Sequence, residues 1–153
     1  MKYFPFVALL FLFVSCNGDK KAEKIDFKAQ NEEEISKYIT DNKLVAQRSD
    51  SGLYYIIDDT GTGAQPSAAS NVTVAYKGYF LDGSVFDESD AQGISFGLQQ
   101  VINGWTEGIP YFKVGGNGLL LVPAHLGYGS FDKRGIPGGS VLIFEVKLLS
   151  VNN

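Results

Sequence analysis

The sequence predicts an α+β domain: an antiparallel sheet of about five strands with one short helix packed on a face. Three observations predict it. Residues 72–80, VTVAYKGYF, and 140–151, SVLIFEVKLLSV, alternate with period two, as half-buried strands do. Between them Trp105, Ile109 and Phe112 recur at i, i+4 and i+7, which is one face of a helix. Strands follow strands with no βαβ rhythm, so the sheet is not a parallel one. An apolar content of 44% in 153 residues supports one packed core plus appendages.

The elements follow in chain order. Residues 1–15 open with Lys2, run apolar from Phe4 to Val14 and end at Ser15, just before Cys16. That run is shorter than the ~20 residues a membrane-spanning helix needs. It has the charged start, apolar centre and small-residue end of a secretory signal. The segment resembles a bacterial lipoprotein signal, although Phe13 stands where Leu is commoner. The resemblance implies that Cys16, the sole cysteine, is lipidated and begins the mature chain; an ordinary cleaved signal that leaves a free thiol is the plainer alternative. Removing residues 1–15 takes away Lys2 and no acid, so the formal charge moves from −4 to −5. Residues 16–30 are polar and read as a flexible tether. In residues 31–50, Asn31 and Glu34 have capping-box spacing, and Ile35, Tyr38 and Ile39 form a helical stripe. A short helix from Asn31 to about Val45 is expected, docked on the domain or free in the bland reading, dimerising in the sharper one.

The domain proper is placed at 51–153. GLYYIIDD (52–59) reads as a strand closed by the turn signal TGTG. The strand at 72–80 puts Val72, Val74 and Tyr76 on one side. LDGS turns the chain, and GISF (93–96) is a further short strand. The helix around Trp105 is expected to be brief, capped by Asn103 and bent near Pro110. GNGLLLVPA (116–124) is a strand closed by Pro123. The last strand buries Leu142, Phe144, Val146 and Leu148.

Four segments then fall in a telling order: VAYKGYFLDGSVFD, FGLQQVINGWTEGI, VPAHLGYG and IPGGSVLIFEVKLL. Together residues 52–149 resemble a peptidyl-prolyl cis-trans isomerase of the FKBP type. The resemblance implies a twisted antiparallel sheet wrapped around a short helix, and rotation of X-Pro bonds as the activity. It implies an apolar pocket with Trp105 as floor and Tyr76, Phe86 and Phe144 as walls. Ile94, Phe96, Val101, Ile102 and Ile136 complete the binding set. Catalysis is assigned to Asp87, Phe86 and Tyr128. Asp87 is implied to be a largely buried carboxylate; the Ile102 N–H and the Tyr128 hydroxyl are implied to donate to substrate carbonyls. The implied partners are proline-containing exported polypeptides and, as inhibitors, macrolides of the rapamycin type.

On the residues alone, Asp87 reads as an acid ending a turn, and Trp105 as ordinary core. Three positions depart from the family pattern: Ile94 where Phe is usual, Gly127 where Ala is common, and Gly138 at the second Pro of an IPP run. They motivate an alternative, a weakly active chaperone or assembly module on the same fold. The stretch 130–135, SFDKRG, is given no role. No cofactor is implied. His125 stands without ligand-spaced partners, so no metal site is expected. The acidic balance lacks the basic footprint of a nucleic-acid binder.

Overall fold

A computed structural model describes residues 25–152. The signal segment and Cys16 therefore lie outside the described residues. Seven strands form one antiparallel sheet, in the order β1 (Gln47–Arg48), β2 (Tyr54–Asp59), β6 (Asn117–Val122), β7 (Leu142–Asn152), β3 (Asn71–Tyr79) and β4 (Val85–Glu88). The remaining strand, β5 (Ile94–Gly97), also pairs with β3. Five of these segments are the predicted ones. The two additions, β1 and β4, span two and four residues, too few for alternation to register.

The centre of the sheet is the β3–β7 ladder, from Asn71 opposite Asn152 to Tyr79 opposite Ile143. On its other edge, β3 takes β5 along its first half and β4 along its second. The front face carries the main core. Val72, Val74, Leu120, Val122, Leu142, Val146 and Leu148 pack there against Trp105, Ile109 and Phe112. Helix α2 spans only Asn103–Gly108 and continues as a 3₁₀ turn through Ile109–Tyr111, with Pro110 inside that turn. The predicted brevity holds, but the cap differs. Ile102, in extended conformation, occupies the N-cap with no side-chain hydrogen bond, and Asn103 is the first helical residue.

Two glycines set how close α2 lies to the sheet. A Cβ on Gly104 would sit 2.6 Å from Val122, and one on Gly108 would sit 2.7 Å from Leu120. Any larger residue at either position lifts the helix off β6.

The back face buries Ile35, Leu121, Val141 and Ile143 beneath α1 (Lys28–Asp41). The helix is thus docked on the domain. It starts inside the stretch assigned to the tether and stops short of Val45. Its end is a Schellman motif: the Leu44 N–H donates to Ile39 and the Lys43 N–H to Thr40, with Lys43 at φ 53°. Glu32 holds α1 to the strands, accepting from the Tyr54 hydroxyl and from Arg48. Those bonds, the one from Tyr54 foremost, keep its carboxyl below the ordinary range.

Asn31 is not a cap. It lies within α1 and is fully buried. Its Oδ1 accepts from the Ala124 N–H at 2.9 Å, and its Nδ2 donates to the Gly139 carbonyl at 2.9 Å. The same Nδ2 reaches Glu34 at 3.0 Å, so the Asn-Glu contact exists without capping anything. The amide bridges both ends of the loop that carries Tyr128. Asn31→Leu leaves both backbone groups buried and unpaired, at about 1–3 kcal/mol each. Urea unfolding should report that loss, and exchange of the Ala124 amide should accelerate while that of Leu120 in β6 keeps pace only with global stability. Equal acceleration at both amides would refute the local bridge.

Candidate active site

The carboxylate of Asp87 follows an aromatic, Phe86, and both face the same cavity. Successive strand residues normally point to opposite faces. A β-bulge resolves this. Gly78 pairs with Asp87 and Tyr79 pairs with Val85, leaving Phe86 as the extra residue. Gly78 also pairs with Phe144 of β7. Directly paired residues share a face, so Asp87 and Phe144 flank Gly78 on the front side. A Cβ on Gly78 would lie 2.7 Å from Phe86 Cζ and 2.9 Å from Phe144 Cε1. The missing side chain is the space in which these two rings meet, at 5.6 Å and edge to face.

Trp105, 5% exposed, is the floor. Tyr76 and Phe144 stand edge-on to it at 5.0 and 5.2 Å, and Phe96 leans on it at 5.3 Å. These contacts fix the rings against each other rather than against a bound group. The space between them is a cavity of about 440 Å³, open at one side. Among the described residues, the Trp105 indole N–H is the one buried side-chain polar atom without a hydrogen-bond partner.

Ten of the eleven predicted pocket residues line this cavity: Tyr76, Phe86, Asp87, Ile94, Phe96, Val101, Ile102, Trp105, Tyr128 and Phe144. Ile136 does not. It is 5% exposed and packs into the core beneath the loop. The reason is a tight turn in which Lys133 and Ile136 exchange backbone hydrogen bonds, folding Ile136 inward and leaving Lys133 and Arg134 at the mouth. Gln100, Asn103 and Gly127 also line the cavity; the sequence reading gave Asn103 as a cap and Gly127 as a family departure, and assigned none of the three, nor either cation, to the lining. Arg134 stands where Asn, Asp or Gly is the usual hairpin-tip residue, so no turn signal placed the cations. His125 is exposed and its Nε2 bonds the Ser51 carbonyl.

Asp87 differs from the implied picture in one respect: it is exposed rather than largely buried. Its place at the edge strand β4 accounts for this, since no further strand covers it. It accepts a 2.6 Å hydrogen bond from the Tyr76 hydroxyl. Burial, and then that carboxylate, push the Tyr76 phenol well above its ordinary pKa. The phenol remains a donor at any physiological pH. Two further donors at the cavity have no internal partner among the described residues: the Tyr128 hydroxyl and the Ile102 N–H. An apolar box with two unengaged donors at its opening can seat a prolyl ring and bind the carbonyls on either side of it.

A family profile described as FKBP-type peptidyl-prolyl cis-trans isomerase matches residues 63–149. The chain belongs to that family. It is 40% identical over 143 residues to the isomerase FkpA of Buchnera aphidicola from Schizaphis graminum, covering 88% of this chain and 56% of the relative. It is 38% identical over 142 residues to FkpA of Escherichia coli K12, covering 90% and 52%. The chain thus spans about half the length of these relatives. The crystal structure of FkpA from Escherichia coli superposes with a TM-score of 0.73 at 38% identity, over 82% of this chain and 61% of that one. A peptidyl-prolyl isomerase from Pseudomonas syringae gives 0.71 at 28% identity, over 86% and 99%.

Gly78→Ala tests the geometry of the walls. The new methyl drives Phe86 and Phe144 toward the cavity, at a stability cost of about 1–3 kcal/mol. About 1.4 kcal/mol of that taken from binding weakens a proline-containing peptide tenfold. Trp105 is the sole tryptophan, so its fluorescence reads that titration directly. An unchanged binding curve would show that the rings do not depend on the glycine.

Proposed function

We propose that this chain catalyses cis-trans isomerisation of X-Pro bonds in exported polypeptides, attached by lipid on Cys16 to a bacterial membrane and facing the periplasm or the cell surface. The observation that carries the catalytic reading is the open aromatic cavity over Trp105, with the Tyr128 hydroxyl and Ile102 N–H unengaged beside it.

An X-Pro bond turns slowly because rotation breaks amide resonance, against a barrier of ~18–20 kcal/mol. The planar amide has separated charge, and the twisted amide has lost much of it. Water solvates the planar form better. A cavity walled by Tyr76, Phe86, Phe96 and Phe144 removes that water, so the twisted form gains relative to the planar one. The prolyl ring rests on Trp105 while the Ile102 N–H and Tyr128 hydroxyl hold carbonyls in register. Asp87 holds the Tyr76 phenol, and with it the wall. No nucleophile and no proton transfer is required.

The three family departures are accommodated. A Cβ at Gly138 would lie 2.3 Å from the Ser130 carbonyl oxygen, so glycine there is what this loop path requires. One at Gly127 would make ordinary contacts, with Leu142 at 3.4 Å and the Pro123 and Ala124 carbonyl oxygens at 3.6 and 3.7 Å. Ile94 is 47% exposed and sits on the rim. None of them closes the cavity, so a module without turnover is the weaker reading.

The catalytic test is magnetisation exchange between cis and trans forms of a prolyl peptide. Added protein should speed exchange, and a rapamycin-type macrolide should abolish the gain. Tyr128→Phe and Asp87→Ala should each lower kcat/KM about 2- to 10-fold, the scale of one hydrogen bond. No acceleration by folded protein would rule out catalysis.

Cys16 lies outside the described residues, and among those described no helix is long and apolar enough to cross a membrane. A single acyl chain binds a bilayer only marginally, whereas more than one anchors it. Cys16→Ala should therefore move the protein from the membrane pellet to the soluble fraction of the envelope. Retention in the pellet would exclude the lipid anchor.

A further inference from the structure

Lys133 and Arg134 take no part in the mechanism above, yet both line the cavity mouth and both are exposed. Neither belongs to an ion pair among the described residues, where the pairs are Lys37–Asp41 and Arg48–Glu32. The turn that presents them is built, not slack. The Lys133 N–H donates to the Ile136 carbonyl and the Ile136 N–H to the Lys133 carbonyl, each at 2.9 Å. Arg134 and Gly135 form the tip with φ 53° and 80°. That is the pattern of a two-residue hairpin turn in which both tip residues are left-handed. Asn or Gly takes the first of those positions readily; Arg is there against its backbone preference.

The base of the loop is tied on both sides. Asp132 Oδ1 accepts from the Gly138 N–H at 2.8 Å, and the Gly139 N–H donates to the Gly129 carbonyl at 2.9 Å. Asn31 holds the Gly139 carbonyl from below. The cavity's charged lining is these two cations and one carboxylate, Asp87, whose Oδ2 is taken by Tyr76. The nearby Asp132 is turned to a backbone amide. A cationic mouth has thus been placed on a chain whose formal charge is −4.

We propose that Lys133 and Arg134 are specificity-determining residues, which favour X-Pro segments with a carboxylate side chain next to the proline. This rests on the isomerase reading of the same cavity. A prolyl ring seated on Trp105 leaves its chain neighbours ~3.3–3.6 Å further out per residue. The neighbours therefore fall at the mouth, within reach of two long cationic arms. The attraction is partly solvated, so it is modest and salt-sensitive.

The experiment uses the full chain and three prolyl peptides that differ only in the residue before proline: Glu, Gln or Lys. Exchange NMR gives kcat/KM, and Trp105 fluorescence gives Kd, for each. The Glu:Gln ratio should be about threefold to fivefold at low salt and the Lys:Gln ratio below one. Both should approach one as salt rises to about 0.5 M, where screening acts within a few ångströms. Reversing the charges, Lys133→Glu with Arg134→Glu, should invert the order, a gain that misfolding does not produce. A Glu:Gln ratio of one in the unaltered protein, in rate and affinity alike, overturns the proposal whether or not the reversed variant folds. A folded reversed variant with the original order overturns it too. Turnover of the Gln peptide with a flat ratio removes the selectivity and leaves the isomerase. Binding that favours Glu with no exchange does the opposite. Failure of all three peptides to bind removes both.

Discussion

The structure depends on a mismatch of area. Helix α2 has six residues and is about 9 Å long. It lies on β6, while the neighbouring strands of the same face, β7 and β3, have eleven and nine residues and extend roughly 30 Å or more. One such helix cannot cover that face. Gly104 and Gly108 draw its backbone down onto Val122 and Leu120, so the short helix seals its own footprint tightly. What it leaves bare is the apron around Trp105, and there the aromatic rings brace one another. The cavity is therefore not carved out of a core. It opens at the N-terminal end of the helix, over Trp105 of α2 itself, and the rings around it meet edge to face.

The back face matters to the front through one side chain. The family profile begins at residue 63, yet Asn31 lies before it and holds Ala124 and Gly139. Between those anchors run Tyr128 and the Lys133–Ile136 turn. The Ser130 hydroxyl adds a bond to the Ile25 carbonyl, and the Phe27 ring packs where a Cβ on Gly139 would stand. The loop that supplies a donor to the site is thus held by the segment ahead of the domain. A buried amide with its partners satisfied on two distant backbone strands has few alternative arrangements, which is how it specifies one loop path.

These relations explain what the sequence disclosed. Trp105, Ile109 and Phe112 announced a helix face because each is buried against the same sheet. Strand β7 announced its core side because Glu145 and Lys147 reach solvent on the other. The edge strand β4 was illegible: four residues long, with a bulge that sends Phe86 and Asp87 the same way, it violates the alternation by which strands are recognised. Asn31 and Glu34 imitated a capping box because their contact is real, but the helix starts a turn earlier and tertiary partners claimed the amide. The site itself was not in any periodicity. Tyr76 and Phe144 read as plain core on alternation, and only the order of four segments marked them as walls. Ile136 was carried over by that order into a pocket that the Lys133–Ile136 turn folds it away from.

The exposure of Asp87 bears on how the proposed catalysis divides. A carboxylate open to water acts through a high effective dielectric, where even a full charge at 4 Å is worth only about 1 kcal/mol. A direct field from Asp87 on a twisting imide is therefore a small part of a barrier near 18–20 kcal/mol. Its hydrogen bond to the Tyr76 phenol is the stronger lever. Tyr76 stands edge-on to Trp105 at 85°, and its hydrogen bond to Asp87 ties down the phenol end of that wall. The bulge that sets Phe86 and Asp87 side by side thus performs two tasks at once. Phe86 closes the dry wall, and Asp87 keeps the adjoining wall from falling in. On this geometry exclusion of water and shape would supply most of the proposed rate gain, and the charge would serve to hold that shape.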